Sequence, residues 1–174
     1  MRNRTDGVMD RPRSLRRSLG LLAGAAIASS TLLMAVGPAL ADSGRNIEAQ
    51  LRPVTASGGG FGLVTFRQPK DADKIVDLGV WVRDLAPNTS YSLQRATDTN
   101  VNDDCAGTNW LTLGQGSVAH SIATDGTGTG RADLFRNLAT VALGMEFDIK
   151  FRVIDAGTSA VVLESSCYQF TVSQ

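Results

Sequence analysis

The sequence contains a single histidine, His120, and only two cysteines in 174 residues. One imidazole cannot assemble a copper site or a zinc site that depends on several histidines. The chain also lacks a G-x-S-x-G elbow, a phosphate-binding glycine loop that opens a helix, and a dinucleotide fingerprint. We therefore assign no catalytic residue, no metal ligand and no cofactor-binding residue from the sequence.

Charge is absent from residues 21–41, whereas the first twenty residues hold six arginines against two aspartates. A basic region, an apolar stretch and the small residues Ala39 and Ala41 after Pro38 are typical of a secretory signal peptide, so we expect cleavage after Ala41. A membrane anchor is the alternative, but the stretch is rich in Ala, Gly and Ser and lacks a charge cluster on its far side. The Arg16–Arg17 pair leaves both the twin-arginine route and the general export route open.

Removing residues 1–41 changes the charge balance of what is left. Six of the 17 basic and two of the 17 acidic residues are lost, so residues 42–174 carry 11 basic and 15 acidic residues and a net charge of −4. A mildly acidic chain without a cluster of lysines and arginines is not suited to nucleic acid or to an anionic membrane surface. The 133 residues fit one secreted domain with a core of its own.

Both cysteines, Cys105 and Cys167, lie in the part expected to be exported. An even pair in an oxidising compartment favours a disulfide, here closing a separation of 62 residues. No C-x-x-C motif and no neighbouring histidine indicates redox or nucleophilic chemistry. The sequence therefore predicts a structural disulfide.

Alternation of apolar and polar residues dominates after residue 42, and turn-forming residues separate the alternating segments. This pattern predicts strands at 47–54, 61–67, 75–84, 90–96, 117–123, 131–135, 146–155 and 161–172, the last with a bend near Ser165 and Ser166. Residues 132–143 also fit a helical stripe, but we favour a strand followed by a loop. The expected fold class is all-β: one antiparallel Greek-key β-sandwich of about seven or eight strands, immunoglobulin-like.

The segment from Leu85 to Tyr91 reads L-A-P-N-T-S-Y and leads into a predicted strand. It resembles a tyrosine corner, in which the tyrosine hydroxyl bonds back to the backbone near the leucine and pins a crossover. Leu85, Pro87 and Tyr91 are therefore expected to have a structural role. An ordinary loop with a core tyrosine is the alternative.

A turn of this kind, then a loop cysteine, then a cysteine near the final strand is an order that resembles the copper/zinc superoxide dismutase and chordin-type sandwiches. Leu85 to Tyr91, Cys105 and Cys167 follow it. In the dismutases the strand after the turn supplies a His-x-His pair, whereas here the stretch from Tyr91 to Arg95 contains no histidine. The resemblance therefore implies the scaffold and not the activity.

The loop from Asp98 to Asp104 places oxygen-bearing residues at alternate positions, as calcium loops do. An EF-hand requires glycine at its sixth position and glutamate at its twelfth, but Asp103 and Asn109 stand there, so a solvated loop is favoured over a calcium site. A hydrolase site assembled around Ser117 and His120 is the other alternative, although a packed or sheet-edge histidine is the simpler interpretation.

The function that the sequence favours is a non-catalytic secreted module that binds or acts at the cell surface. The inference depends on the missing catalytic motifs and on a fold class that is often used for recognition. Its expected partner is an extracellular protein or a glycan, and neither nucleic acid nor the membrane is expected as a partner after cleavage.

Overall fold

Twelve β-strands make up the described part of the chain, residues 46–69 and 72–173, in the computed structural model. They run Asn46–Pro53 (β1), Phe61–Arg67 (β2), Ile75–Arg83 (β3), Ser90–Asp98 (β4), Leu111–Thr112 (β5), Gly114–Gln115 (β6), Val118–Ala119 (β7), Ile122–Ala123 (β8), Gly130–Asn137 (β9), Glu146–Asp155 (β10), Val161–Ser165 (β11) and Tyr168–Thr171 (β12). No helix occurs among these residues, so the all-β prediction is confirmed. The described residues thus contain no helix that could cross a membrane. The predicted signal peptide, residues 1–41, lies outside them.

The long strands are half-buried, as their alternation predicts. In β3 the side chains of Val76, Leu78, Val80 and Val82 face the core, and the residues between them are exposed or partly exposed. Each such side chain contributes about 1.5 to 3 kcal/mol when it is fully removed from water. This repeated burial places the core between the inner faces of the strands.

Aromatic rings fill the centre of this core. Phe66 meets Phe170 edge-on with ring centroids 4.6 Å apart, and Phe147 and Phe151 complete the cluster at 5.3 and 5.9 Å. Edge-to-face packing suits the charge distribution of the rings. Since β2, β10 and β12 supply these rings, the cluster connects strands that are far apart in the sequence.

Seven of the strands form a continuous antiparallel run in the order β4, β10, β11, β1, β2, β3 and β9. Each neighbour in this run is antiparallel to the next, so the two outermost strands, β4 and β9, point in the same direction. β12 pairs with the first part of β10, beyond the stretch that pairs with β11. Because β4 and β9 point in the same direction, their first residues lie at one end of the sheet and their last residues lie at the other end.

Two short segments connect β4 to β9 and nearly close the sheet. β5 pairs with the middle of β4, β6 pairs in parallel with the second half of β9, and the amide of Leu113 between them donates to the carbonyl of Leu93. Near the beginnings of β4 and β9, β8 pairs with β4 and Thr124 forms a bridge to Gly130. The result is a mixed, barrel-like sheet instead of the antiparallel sheet that the sequence pattern suggested.

Several predicted strands need correction. The stretch 117–123 is divided into β7 and β8, and β5 and β6 were not predicted, because two-residue strands contain too little alternation to be recognised. The stretch 161–172 is divided into β11 and β12 at the predicted bend. The ambiguous stretch 132–143 is a strand followed by a loop, as favoured. Twelve strands therefore replace the expected seven or eight.

The beginnings of β4 and β9 form a tightly packed end of the barrel. The amide of Ala86 donates to the Tyr91 hydroxyl at 3.1 Å, the backward contact that a tyrosine corner requires. Buried Thr124 donates from its hydroxyl to the Ala86 carbonyl at 2.8 Å. Gly128 has φ of +79°, and a Cβ there would lie 2.1 Å from the Leu85 carbonyl oxygen, so only glycine fits. These contacts leave little space at this end.

Candidate functional site

The opposite end of the barrel contains a cavity of about 160 Å³. Its walls come from the inner faces of β2, β3 and β10, including Phe66, Leu78 and Phe147, and from the loops that follow β5 and β9. Nine of its thirteen lining residues are apolar, and Met145 at the rim is 39% exposed, so the cavity is an apolar space that opens to solvent. An enclosed apolar cavity of about 150 Å³ can hold one benzene ring.

Arg95 projects into this cavity from β4. It continues the inward alternation of Tyr91 and Leu93, both buried, and is itself partly buried. Its Nη1 donates to Oγ1 of Thr97 at 2.9 Å, and the same hydroxyl oxygen accepts from Nδ2 of Asn109 at 3.2 Å. A charged side chain therefore occupies a core position and is held by neutral neighbours.

Arg136 occupies the equivalent place on β9. The inward positions before it, Ala132 and Leu134, are buried, and Arg136 is partly buried. Its Nη1 donates to the carbonyl of Gly116 at 3.2 Å, in the turn between β6 and β7. Because β4 and β9 point the same way, both arginines lie at the open end.

The two arginines affect each other electrostatically. Burial lowers the pKa of the Arg95 guanidinium from its ordinary value, and the positive charge of Arg136 lowers it further. Within the described part of the chain, neither arginine forms an ion pair, and no carboxylate lines the cavity. Since arginine stays charged in proteins, the open end concentrates positive charge without a counter-ion from the described residues.

Cys105 and Cys167 form a disulfide with Cα atoms 5.6 Å apart. Cys105 lies in the loop that joins β4 to β5, and Cys167 lies in the bend between β11 and β12. The bond therefore attaches this loop to the chain on the other side of β10. The pairing is the one that the sequence predicts.

Asp148 is an unexpected buried charge under that loop. The alternation of β10 predicts that it faces solvent, but the loop after β4 covers it completely. Its Oδ2 accepts from the amides of Asn102 and Asp103 at 2.9 and 2.8 Å. Its Oδ1 is buried without a hydrogen-bond partner among the described residues. Through these two hydrogen bonds, Asp148 holds the loop against β10.

The candidate calcium ligands in the loop bond mainly to the loop itself. Oδ1 of Asp98 accepts from the amide of Asn100 at 2.9 Å. Asn102 and Asp104 are joined by two hydrogen bonds, and Oδ1 of Asp104 also accepts from the amide of Ala106. No group of three or more His, Cys, Asp or Glu side chains in residues 46–69 and 72–173 is placed to hold a metal ion.

Ser117 and His120 both lie exposed, Ser117 in the turn between β6 and β7 and His120 after β7. No hydrogen bond joins these two described side chains, and His120 has no hydrogen bond or ion pair with a described carboxylate. Val118 between them is 69% exposed, so His120 is not packed into the core, and its exposed position directly after the edge strand β7 agrees with the sheet-edge interpretation. The arrangement lacks the base and orienting acid that activate a serine.

The two tryptophans lie outside the cavity, on separate parts of the surface. Trp81 meets Phe61 edge-on at 6.0 Å, and the Arg83 guanidinium lies 5.7 Å from the Trp81 ring centroid. Trp110 has the guanidinium of Arg152 over its ring at 3.9 Å. Each tryptophan ring therefore has an arginine guanidinium within cation–π distance.

Sequence analysis did not single out Arg95 or Arg136. A signal was present for Arg95, which occurs at an inward position of the predicted strand 90–96, where charged residues are rare unless they are paired. Arg136 lies one residue beyond the predicted strand 131–135, so its inward position was not evident. Comparisons of the chain with protein-family models, with curated proteins and with solved structures give no match. The resemblance to the dismutase and chordin-type scaffold therefore depends on the order of its motifs alone.

Proposed function

We propose that this chain is a non-catalytic, secreted binding domain and that it holds a small apolar group in the cavity at the open end. The observation that supports the proposal is an apolar cavity of about 160 Å³ that opens to solvent beside an otherwise well-packed core. Exposed apolar space of this kind is costly in water and is characteristic of ligand sites.

The size of the cavity limits the ligand. Sites for whole drug-sized molecules measure roughly 300 to 1,000 Å³, whereas roughly 150 Å³ accommodates one benzene ring. The buried part of the ligand is therefore one ring or a short alkyl chain. Any larger remainder of the ligand extends into solvent past the rim residues Met145 and Val141.

A secreted location is supported by the export pattern of residues 1–41 and by the disulfide, which is compatible with an oxidising compartment. We further propose that the barrel-like sheet is a distorted Greek-key sandwich, immunoglobulin-like and related in scaffold to the dismutase and chordin-type domains. An extracellular protein or a glycan that presents the buried group is the partner that fits a secreted module.

The test is a titration with benzyl alcohol, a neutral single-ring probe, followed by ¹H–¹⁵N NMR. We expect saturable shifts of amide signals around the cavity, such as those of Leu113 and Leu138. The Val141→Trp variant places an indole in the cavity and should abolish these shifts. Val54→Trp, at an exposed position outside the cavity, is the matched control and should leave them unchanged.

Shifts that do not saturate, or shifts that persist in Val141→Trp, would contradict the proposal. The hydrolase alternative has a separate test, in which His120→Ala is compared with the unmodified chain over a panel of ester and amide substrates. We expect neither chain to turn over substrate, since His120 and Ser117 do not interact. Activity that His120→Ala removes would favour the hydrolase.

A further inference from the structure

The two inward arginines are the part of the cavity that an apolar ligand does not explain. Arg95 and Arg136 occupy inward positions in the second halves of their strands, and the shared direction of β4 and β9 brings both to the wall of the same cavity. A purely apolar ligand would gain no binding energy from positive charge at these two positions. Burying arginines beside each other also raises the free energy of the folded chain through repulsion and desolvation.

Their hydrogen bonds leave most of each guanidinium unused. A guanidinium has five N–H donors, and among the described residues Arg95 and Arg136 each use one, to the Thr97 hydroxyl and to the Gly116 carbonyl. Both acceptors are neutral, so neither charge is compensated. The carboxylate of Asp98 lies at an outward position of β4, where it cannot line the cavity.

We propose that the site binds an amphipathic carboxylate, with the carboxylate between Arg95 and Arg136 and its ring or short alkyl chain in the apolar cavity. This inference deepens the proposed function and depends on it. The planar guanidinium matches a carboxylate in geometry and forms charge-assisted hydrogen bonds to it. Thr99 also lines the cavity and adds a hydroxyl at its exposed side.

A carboxylate fits better than a larger anion because the cavity has room for only one ring beside the arginines. The anion supplies the missing counter-charge, and the apolar walls supply the hydrophobic contribution. Each part alone is weak, since a free anion stays hydrated and a single ring buries little area. Together they select a molecule that carries both parts a few bonds apart.

The experiment compares phenylacetate with phenylacetamide, its neutral counterpart of nearly the same shape, by NMR titration of the full chain at low salt. We expect phenylacetate to bind about tenfold more tightly, the equivalent of one net charge-assisted hydrogen bond. Arg95→Met and Arg136→Met should each remove this preference, so that the ratio of the phenylacetate affinity to the phenylacetamide affinity falls to about one. Arg131→Met, on the outward face of the same strand as Arg136, is the matched control and should retain it.

Circular dichroism establishes that each variant is folded, and if a methionine variant does not fold, Arg95→Lys and Arg136→Lys replace it. Lysine keeps the charge but loses the planar fork, so the preference should fall in part. Equal affinity for phenylacetate and phenylacetamide would overturn this inference while benzyl alcohol binding still supported the proposed function. Displacement of phenylacetate by an equal concentration of inorganic phosphate would also overturn this inference, because such displacement would indicate a simple anion site.

Discussion

Removing the disulfide should lower the free energy of unfolding by about 4 kcal/mol. The bond closes a separation of 62 residues, and the chain-entropy model assigns about 4 kcal/mol to a loop of that length. The perturbation is the double variant Cys105→Ser/Cys167→Ser. For a domain of about 130 residues, this loss corresponds to a decrease in Tm of about 15 °C.

The assay is urea unfolding monitored by tryptophan fluorescence, which has a reporter in the loop after β4 because Trp110 lies there. The m-value should rise, since the unfolded chain without its cross-link exposes more surface. Ser166→Ala, at the exposed residue next to Cys167, is the control and should change stability by less than about 0.5 kcal/mol. A loss below about 1 kcal/mol in the double variant would refute the reasoning and would mean that the loop is already constrained in the unfolded chain.

Further predictions concern the loop after β4 and the closed end of the barrel. Asp148→Ala should cost about 2 to 4 kcal/mol in urea unfolding, because two buried loop amides lose their charged acceptor; a cost below about 1 kcal/mol would contradict this. Gly128→Ala should cost about 3 kcal/mol from strain and steric overlap, and an unchanged Tm would exclude that packing. Tyr91→Phe should cost about 1 kcal/mol through the lost corner hydrogen bond, and no loss would show that this bond is neutral. Several hydrogen bonds, the largest effect coming from the Thr127 side chain, lower the pKa of Asp125. The contribution of Asp125 to stability is therefore complete above the ordinary pKa of 3.8 and is lost as the pH falls through the lowered pKa. The acid unfolding profile should lose this component in Asp125→Asn, and identical profiles for the two chains would refute the prediction. Because hydrogen bonds within the loop engage side-chain oxygens of Asp98, Asn102 and Asp104, Tm should be the same in millimolar calcium and in chelator, and a clear rise with calcium would restore the calcium alternative.

Local patterns predicted much of the secondary structure. The strand at 146–155 has the predicted bounds because ten residues of strict alternation leave no other way to bury one face. The segment 61–67 also matches its prediction. By contrast, the pairing of β6 with β9 depends on contacts between residues twenty positions apart. No local pattern contains that information.

In the candidate site, too, some features follow from local sequence patterns and others depend on contacts between distant segments. Alternation in the predicted strand 90–96 places Arg95 on an inward face, but Arg136 lies beyond the predicted strand 131–135, and no local pattern places both arginines at one end of one cavity. Their proximity requires seven strands in register, with β4 and β9 parallel to each other at the two sides of the run. Asp148 is a similar case, since its burial comes from a loop that folds over the sheet.

The amino-acid sequence by itself determined the all-β class, most of the long strands and the cysteine pair, because strand periodicity is local and two cysteines allow only one intramolecular bond. The tertiary structure alone decided that the sheet nearly closes, that one end is packed and that the other end leaves a cavity with two uncompensated arginines. The physical reason is that closure, burial and charge proximity are set by contacts between segments distant in sequence, whose positions follow from the packing of the whole domain.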